Sequence, residues 1–300
     1  MLAQRHIATV PERLFTVANY AALGLFALMT AYPFWYVIQV SFTDPLYDYR
    51  FSLLWPRGLY YANYAKVFSS SGIGQAYLIS ILRVVIGVPL MVLVTGGAAF
   101  ALTQKQLVGR NIIILYFFLT IFFSGGLVPT FMVYRSVGLL DTFWVLVLPL
   151  MFSVWTMIVM KTSFQTLPYG LTEAALIDGA HYGYIFFRIV LPLSMPMVAT
   201  LSLFTAVNHW NAWFDGAFFV QNWRLKPLQT FLRTYVLESA WHAKGVYTGA
   251  NQEILEQLER LTPTSLIYSF IVVGTVPILI VYPFIQRYFI KGVLIGSIKE

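Results

Sequence analysis

Six apolar stretches, each long enough to cross a bilayer, dominate this sequence, at about residues 14–40, 76–103, 111–134, 142–163, 185–210 and 264–290. A helix needs roughly 20 mostly apolar residues to traverse about 30 Å of hydrocarbon. The expectation is an all-α integral membrane protein, with six transmembrane helices in a single transmembrane domain over residues 1–300. Charge supports this: only 10% of the residues are charged, against about a quarter in soluble domains, so most of the surface must face something other than water. The third stretch contains Gly125, Gly126 and Pro129, which lower helix propensity and remove an amide donor, so it is expected to bend or end early. Arg5 and Arg13 precede the first stretch as in a signal peptide. That stretch is longer than a signal-peptide core and lacks a convincing cleavage site, so it is expected to stay attached.

The short loops set the orientation. With six spans both ends share one side, which carries nine basic residues against four acidic ones, a net of +5. The other side carries nine against eight, a net of +1, with Arg83 counted inside the membrane. Basic loops stay in the cytoplasm, so both termini are expected there. The basic residues are scattered singly between apolar runs, whereas a nucleic-acid surface needs them clustered; no nucleic-acid partner is expected. The absence of cysteine excludes disulfides, thiolate metal sites and a cysteine nucleophile.

Two outer segments, at about 41–75 and 211–263, are long enough to make contacts. The second contains NQEILEQLERL, Asn251 to Leu261, with apolar residues at helical spacing beside three glutamates. It reads either as an external amphipathic helix for a partner or as a solvated spacer. Gly96, Gly97, Ala98 and Ala99 read as a surface for close helix packing.

The loop between the fourth and fifth stretches, LTEAALIDGAHYGYIFFRIVLPLSMP at 171–196, is the most informative segment. Thr172 is expected to cap a short helix with Glu173 in its first turn, where a carboxylate favours the exposed amides. Gly179 allows the chain to leave that helix in a left-handed conformation, and Pro192 and Pro196 disturb the start of the next span. The expected product is a small, rigid docking knob.

Glu173, Ala174, Ala175, Asp178, Gly179 and Ala180, followed by Ile189, Leu191, Pro192 and Pro196, resemble the EAA loop of ABC importer permeases. FSGGLVPTFMVYRSVGLLDTFWVLVLP, HWNAWFDGAFF, KPLQTFLR and QRYFIKGVLIGSIKE extend the resemblance to nearly the whole chain. They are similar to the carbohydrate branch that includes the maltose transporter's smaller permease and polysaccharide permeases. Ile79, before Ser80, stands where that family suggests an asparagine, which puts a polar role there in doubt. The resemblance implies the type I ABC importer fold in a bacterial cytoplasmic membrane, and import of a sugar, oligosaccharide or polysaccharide. It also implies a second homologous permease, a pair of ATP-binding subunits and an extracytoplasmic solute-binding protein as partners. Glu173, Ala174, Ala175, Asp178, Gly179 and Ala180 would form the coupling helix against the ATPase, and the tail from Gly292 to Glu300 would touch the same pair. No Gly-x-x-x-x-Gly-Lys-Ser/Thr loop occurs, so ATP and magnesium would be held by the partner, with no cofactor, metal or catalytic residue in this chain.

Sugars are held by aromatic faces together with a few placed polar groups. Asn208, His209, Trp210, Asn211, Trp213 and Asp215 offer that mixture at the outer end of the fifth stretch, which reads equally as an interfacial aromatic belt. Arg83 lies inside the second stretch and reads as a partner for an acidic sugar, as a snorkelling side chain, or as a donor to neighbouring carbonyls. Two other functions remain at this point. One is a permease of the same fold for an amino acid, peptide or ion. The other is a membrane enzyme using His209 and Asp215, although a spacing of six does not put both on one helical face.

Overall fold

In the computed structural model the second apolar stretch forms a 29-residue helical span, Ile73–Ala101, one of two helices among the described residues long and apolar enough to cross a bilayer unbroken. The structure describes residues 10–44, 54–56, 58–243 and 264–297. Among them every regular element is helical, and the extended pairing is an isolated bridge between Thr43 and Leu59. The elements are α1 Val10–Ser41, α2 Ala62–Ser69, α3 Ile73–Met91, α4 Gly97–Ala101, α5 Arg110–Thr120, α6 Leu127–Ser136, α7 Val154–Phe164 and α8 Tyr169–Ile177. They continue with α9 Tyr182–Ile185, α10 Leu191–Leu193, α11 Met195–Asn211, α12 Phe214–Phe218, α13 Leu228–Ala243 and α14 Thr264–Ser297. The Asn251–Leu261 segment lies outside the described residues.

The chain divides into a unit of residues 1–69 with 238–273 and a larger unit of 70–237 with 274–300. In the smaller unit α1 is exposed along most of its length and becomes buried only at Gln39–Ser41. A helix leaves its last carbonyls without intrahelical partners, and here side chains take them. The side-chain amide of Asn63 and the hydroxyl of Ser269 both donate to the Ser41 carbonyl, at 3.1 Å each.

In the larger unit a π-helical turn, Val92–Gly96, joins α3 to α4. A Cβ at Gly96 would stand 3.4 Å from the Phe186 ring and 3.5 Å from the Met160 sulfur, an ordinary contact that alanine could make, and Gly97 faces open space, so neither glycine is what the packing requires. Met91, Met157, Met160, Phe186 and Leu201 belong to one buried apolar cluster that ties α3, α7 and α11 together.

Three expected spans differ from uniform helices. The third breaks between α5 and α6, where Gly126 has φ +79°; Pro129 falls in the first turn of α6, where a missing N–H costs nothing. The fourth, expected as one helix at 142–163, is two 3-10 turns, Phe143–Leu146 and Leu148–Leu150, followed by α7 at a 45° bend. Thr95 satisfies that break: its hydroxyl donates to the Met151 carbonyl at 2.8 Å and accepts from the Ser153 amide at 3.3 Å. Irregular backbone at membrane depth is tolerated only with such partners. The fifth, expected at 185–210, bends by 89° between Leu193 and Met195, at Ser194 flanked by Pro192 and Pro196. Counting each bent pair as one gives up to four spans among the described residues; Arg110–Thr120 and the Thr264–Ile280 part of α14 are shorter apolar helical stretches.

Asp141, which the sequence marks only as a charge, fixes the loop after α12. It adopts φ 57°, and its carboxylate accepts from the amides of Gln221 at 2.9 Å and Asn222 at 2.7 Å. Hydrogen bonds to a charged group contribute about 1.5–3 kcal/mol each where well formed, less with water at hand. Asp141→Ala is therefore expected to lower stability by about 2 kcal/mol, read as a lower thermal midpoint of the purified subunit. Asp141→Asn, which tolerates the positive φ and keeps an acceptor, should lose less.

Candidate functional site

The 171–196 loop does contain a short helix, but it begins a turn earlier than expected. Pro168 precedes α8, and Thr172 is its fourth residue, buried at 8% exposure and not a cap. Glu173 consequently leaves the first turn, and the favourable interaction with the helix amides expected for it does not arise. The C-terminus follows the expectation closely. Gly179 has φ +83°, its amide donates to the Leu176 carbonyl at 3.1 Å, and the Ala180 amide donates to Ala175 at 2.9 Å. This is the Schellman closure, in which a left-handed glycine lets two amides satisfy the last carbonyls. The His181 imidazole then accepts from the Tyr184 amide at 3.0 Å, starting the next helix two residues later.

Burial divides the six expected contact residues. Glu173, Ala174, Asp178 and Gly179 are exposed, whereas Ala175 and Ala180 pack toward the apolar cluster of the larger unit. Ile177, absent from the sequence-based set, is 86% exposed. Its spacing of four from Glu173 places both on one helical face, a signal present in the sequence. The knob therefore shows two carboxylates, an isoleucine and small residues outward, while Ala175, Ala180 and Leu176 seat it.

At the other site, Arg83 is fully buried and its guanidinium is turned to Asp215, 132 residues away, in an ion pair. Its Nη1 also donates to Asp215 Oδ1 at 3.2 Å and to the Ala212 carbonyl at 3.1 Å. Its Nε donates to His209 Nδ1 at 3.2 Å. A nitrogen that accepts from a guanidinium carries no proton, so the imidazole is the tautomer protonated at Nε2. Gly87, one turn after Arg83, leaves room for the ring: a Cβ there would stand 2.6 Å from His209 Cε1. The network thus joins α3 to the end of α11 and the start of α12.

The remaining predicted residues separate. Trp210 is buried, and its indole N–H donates to the Gly274 carbonyl at 3.2 Å. Trp213 is covered by the Arg233 guanidinium, 3.5 Å from the ring centroid. Asn208 and Asn211 are exposed. Ser80, beside the unexpected Ile79, has a polar task after all: its buried hydroxyl accepts from the Leu228 amide at 2.8 Å, capping α13. Neither His209, Gly87 nor Ser80 could be paired with its partner from spacing alone, because each contact crosses more than 100 residues.

Residues 55–295 match the family described as binding-protein-dependent transport system inner membrane component. The chain belongs to this family. The permease is 37% identical, over 96% of its length and 99% of the relative's, to the polygalacturonan/rhamnogalacturonan transport system permease protein YtcP of Bacillus subtilis. It is likewise 37% identical to the protein LplC of the same organism, over 97% of both chains. Among solved structures, a chain of a bacterial ABC transporter involved in the import of the acidic polysaccharide alginate matches with a TM-score of 0.78. That match has 26% identity and covers 94% of the permease and 98% of that chain. The protein is therefore a helical inner-membrane transport subunit with the ABC importer permease fold.

Proposed function

We propose that this permease forms half of the pore of an ATP-driven importer that admits acidic oligosaccharides or polysaccharides delivered by an extracytoplasmic binding protein. The substrate class rests on the full-length 37% identity to a permease for polygalacturonan and rhamnogalacturonan, and the alginate transporter supports it with a second acidic polymer. Within the chain, the outward face of α8 suits the transmission of motion from a separate ATPase pair, which supplies the hydrolysis. A second homologous permease completes the pore. The six-span arrangement with both termini in the cytoplasm follows from the apolar stretches and the +5 side of the charge count.

The exposed Asn208 and Asn211 and the Arg233-covered Trp213 are proposed to line the outer part of the substrate path with Trp210 behind them. Arg83 and Asp215 neutralise each other there, so an acidic sugar meets Arg83 only when that pair opens. Deleting the permease from a host that carries the transporter tests the reading. Uptake of labelled oligogalacturonate should fall at least tenfold and return with the intact gene, while uptake of amino acids stays unchanged. Undiminished oligogalacturonate and oligoalginate uptake would remove the substrate assignment.

A further inference from the structure

Beside the first turn of α8 the larger unit holds a cavity of about 390 Å³ that the import mechanism does not use. Lys105 and Arg110 line it, and no aspartate or glutamate does. Neither cation is in an ion pair with a carboxylate of the described residues. The Arg110 Nε is buried without a hydrogen-bond partner. The Lys105 ammonium lies 4.7 Å from the Tyr169 ring centroid, which steadies it at the rim.

Gln104 makes the cavity a built one. Its side chain is 8% exposed, and its Oε1 has no partner. The orientation of this amide follows from its neighbours. The Thr103 hydroxyl donates to the Phe100 carbonyl at 2.6 Å, so it can only accept from Gln104 Nε2, at 3.0 Å. Oε1 is thereby left as a buried, unpartnered acceptor on a residue that lines the cavity with Lys105 and Arg110. Leu107 and Val108, the latter 91% exposed, stand between the two cations in sequence and leave an apolar surface uncovered.

We propose that this cavity binds a phosphate ester bearing a free hydroxyl, such as a phosphoglycerol group, with the phosphate on Arg110 and Lys105 and the hydroxyl donating to Gln104 Oε1. The exposed Leu107–Val108 pair favours the headgroup of an anionic lipid as the source, since basic residues beside an apolar anchor are drawn to such a leaflet. A group held there would touch Tyr169 and Thr172 and so brace the base of the coupling helix.

Native mass spectrometry of the purified, complete transporter with phosphatidylglycerol or phosphatidylcholine tests this, alongside titration with glycerol 3-phosphate. The wild type should retain one more phosphatidylglycerol per copy of this permease than Arg110→Gln, whose affinity should fall at least tenfold. Lys105→Gln, at an exposed position, should weaken retention in the same direction but less, and phosphatidylcholine should be indifferent to both. Displacement of the lipid by glycerol 3-phosphate would assign the site to a soluble phosphate ester; no displacement would assign it to the lipid. Equal retention of both ligands by wild type and both variants would overturn the proposal. Ligand retention is read without transport, so that result would leave the import reading standing.

Discussion

Asp215→Ala is expected to be the most damaging single change in the larger unit, because it leaves the Arg83 guanidinium fully buried beside an imidazole and one carbonyl, without a counter-charge. Breaking a buried pair from one side costs about 3–5 kcal/mol, enough to consume much of the stability of an ordinary domain. The measurable result is a sharp drop in the amount of permease recovered from membranes and in its thermal midpoint. Removing both charges should behave differently. In Arg83→Met with Asp215→Leu, nothing charged is left in the apolar site, and such replacements are often neutral or stabilising. Recovery of stability by the double variant would show that the single loss came from an orphaned charge. Transport by that double variant then separates two roles for the pair. If uptake returns with stability, the pair is a structural tie between α3 and α12. If the complex assembles but does not transport, the pair opens and closes during the cycle. A singly substituted Asp215→Ala permease of undiminished stability would show that the guanidinium is not held as described.

The helical class and the approximate positions of the apolar runs were legible in the sequence because hydropathy over 20 residues is a local property. The bends were only half legible. Pro192 and Pro196 marked the 89° turn at Ser194, and Gly126 marked the break after α5. The break at Met151–Ser153 follows Pro149, but the partner that satisfies its backbone, Thr95, lies more than 50 residues earlier and cannot be read from spacing. The 171–196 loop was readable for the same local reason: a left-handed glycine closes its helix through contacts within five residues. Its start was misplaced because Thr172 has the chemistry of a cap but the burial of a core residue, and Pro168 ends the preceding turn first. The Arg83 network was the reverse case. Arginine inside an apolar run announced a partner, but three competing partners were compatible with the sequence, and only packing of α3 along α11 brings Asp215, Ala212 and His209 to it.

Gly179 carries the second large expectation, and its geometry allows the cause of a defect to be isolated. Its φ of +83° lies where a β-branched residue is strained, yet a Cβ there would meet nothing within 4 Å. Gly179→Val should therefore leave insertion of the permease intact while disturbing the Schellman closure and the direction in which α8 is presented. ATP hydrolysis stimulated by the loaded binding protein should fall at least tenfold in the reconstituted complex. Gly179→Asn is the informative companion, because asparagine tolerates the left-handed region at low cost. Retained coupling in the asparagine variant would assign the defect of the valine variant to backbone conformation. Equal loss in both would assign it to a close contact across the interface with the ATPase. Glu173→Lys tests the same surface by charge. The side chain is exposed, and no ion pair within the described residues involves it, so a loss of coupling must arise in the partner. Reversing the sign at a docking surface weakens association through like-charge contact, and a compensating basic-to-acidic change on the ATPase should restore it. Coupling that survives Gly179→Val and Glu173→Lys together would separate α8 from the ATPase and leave the motion of this pore without its lever.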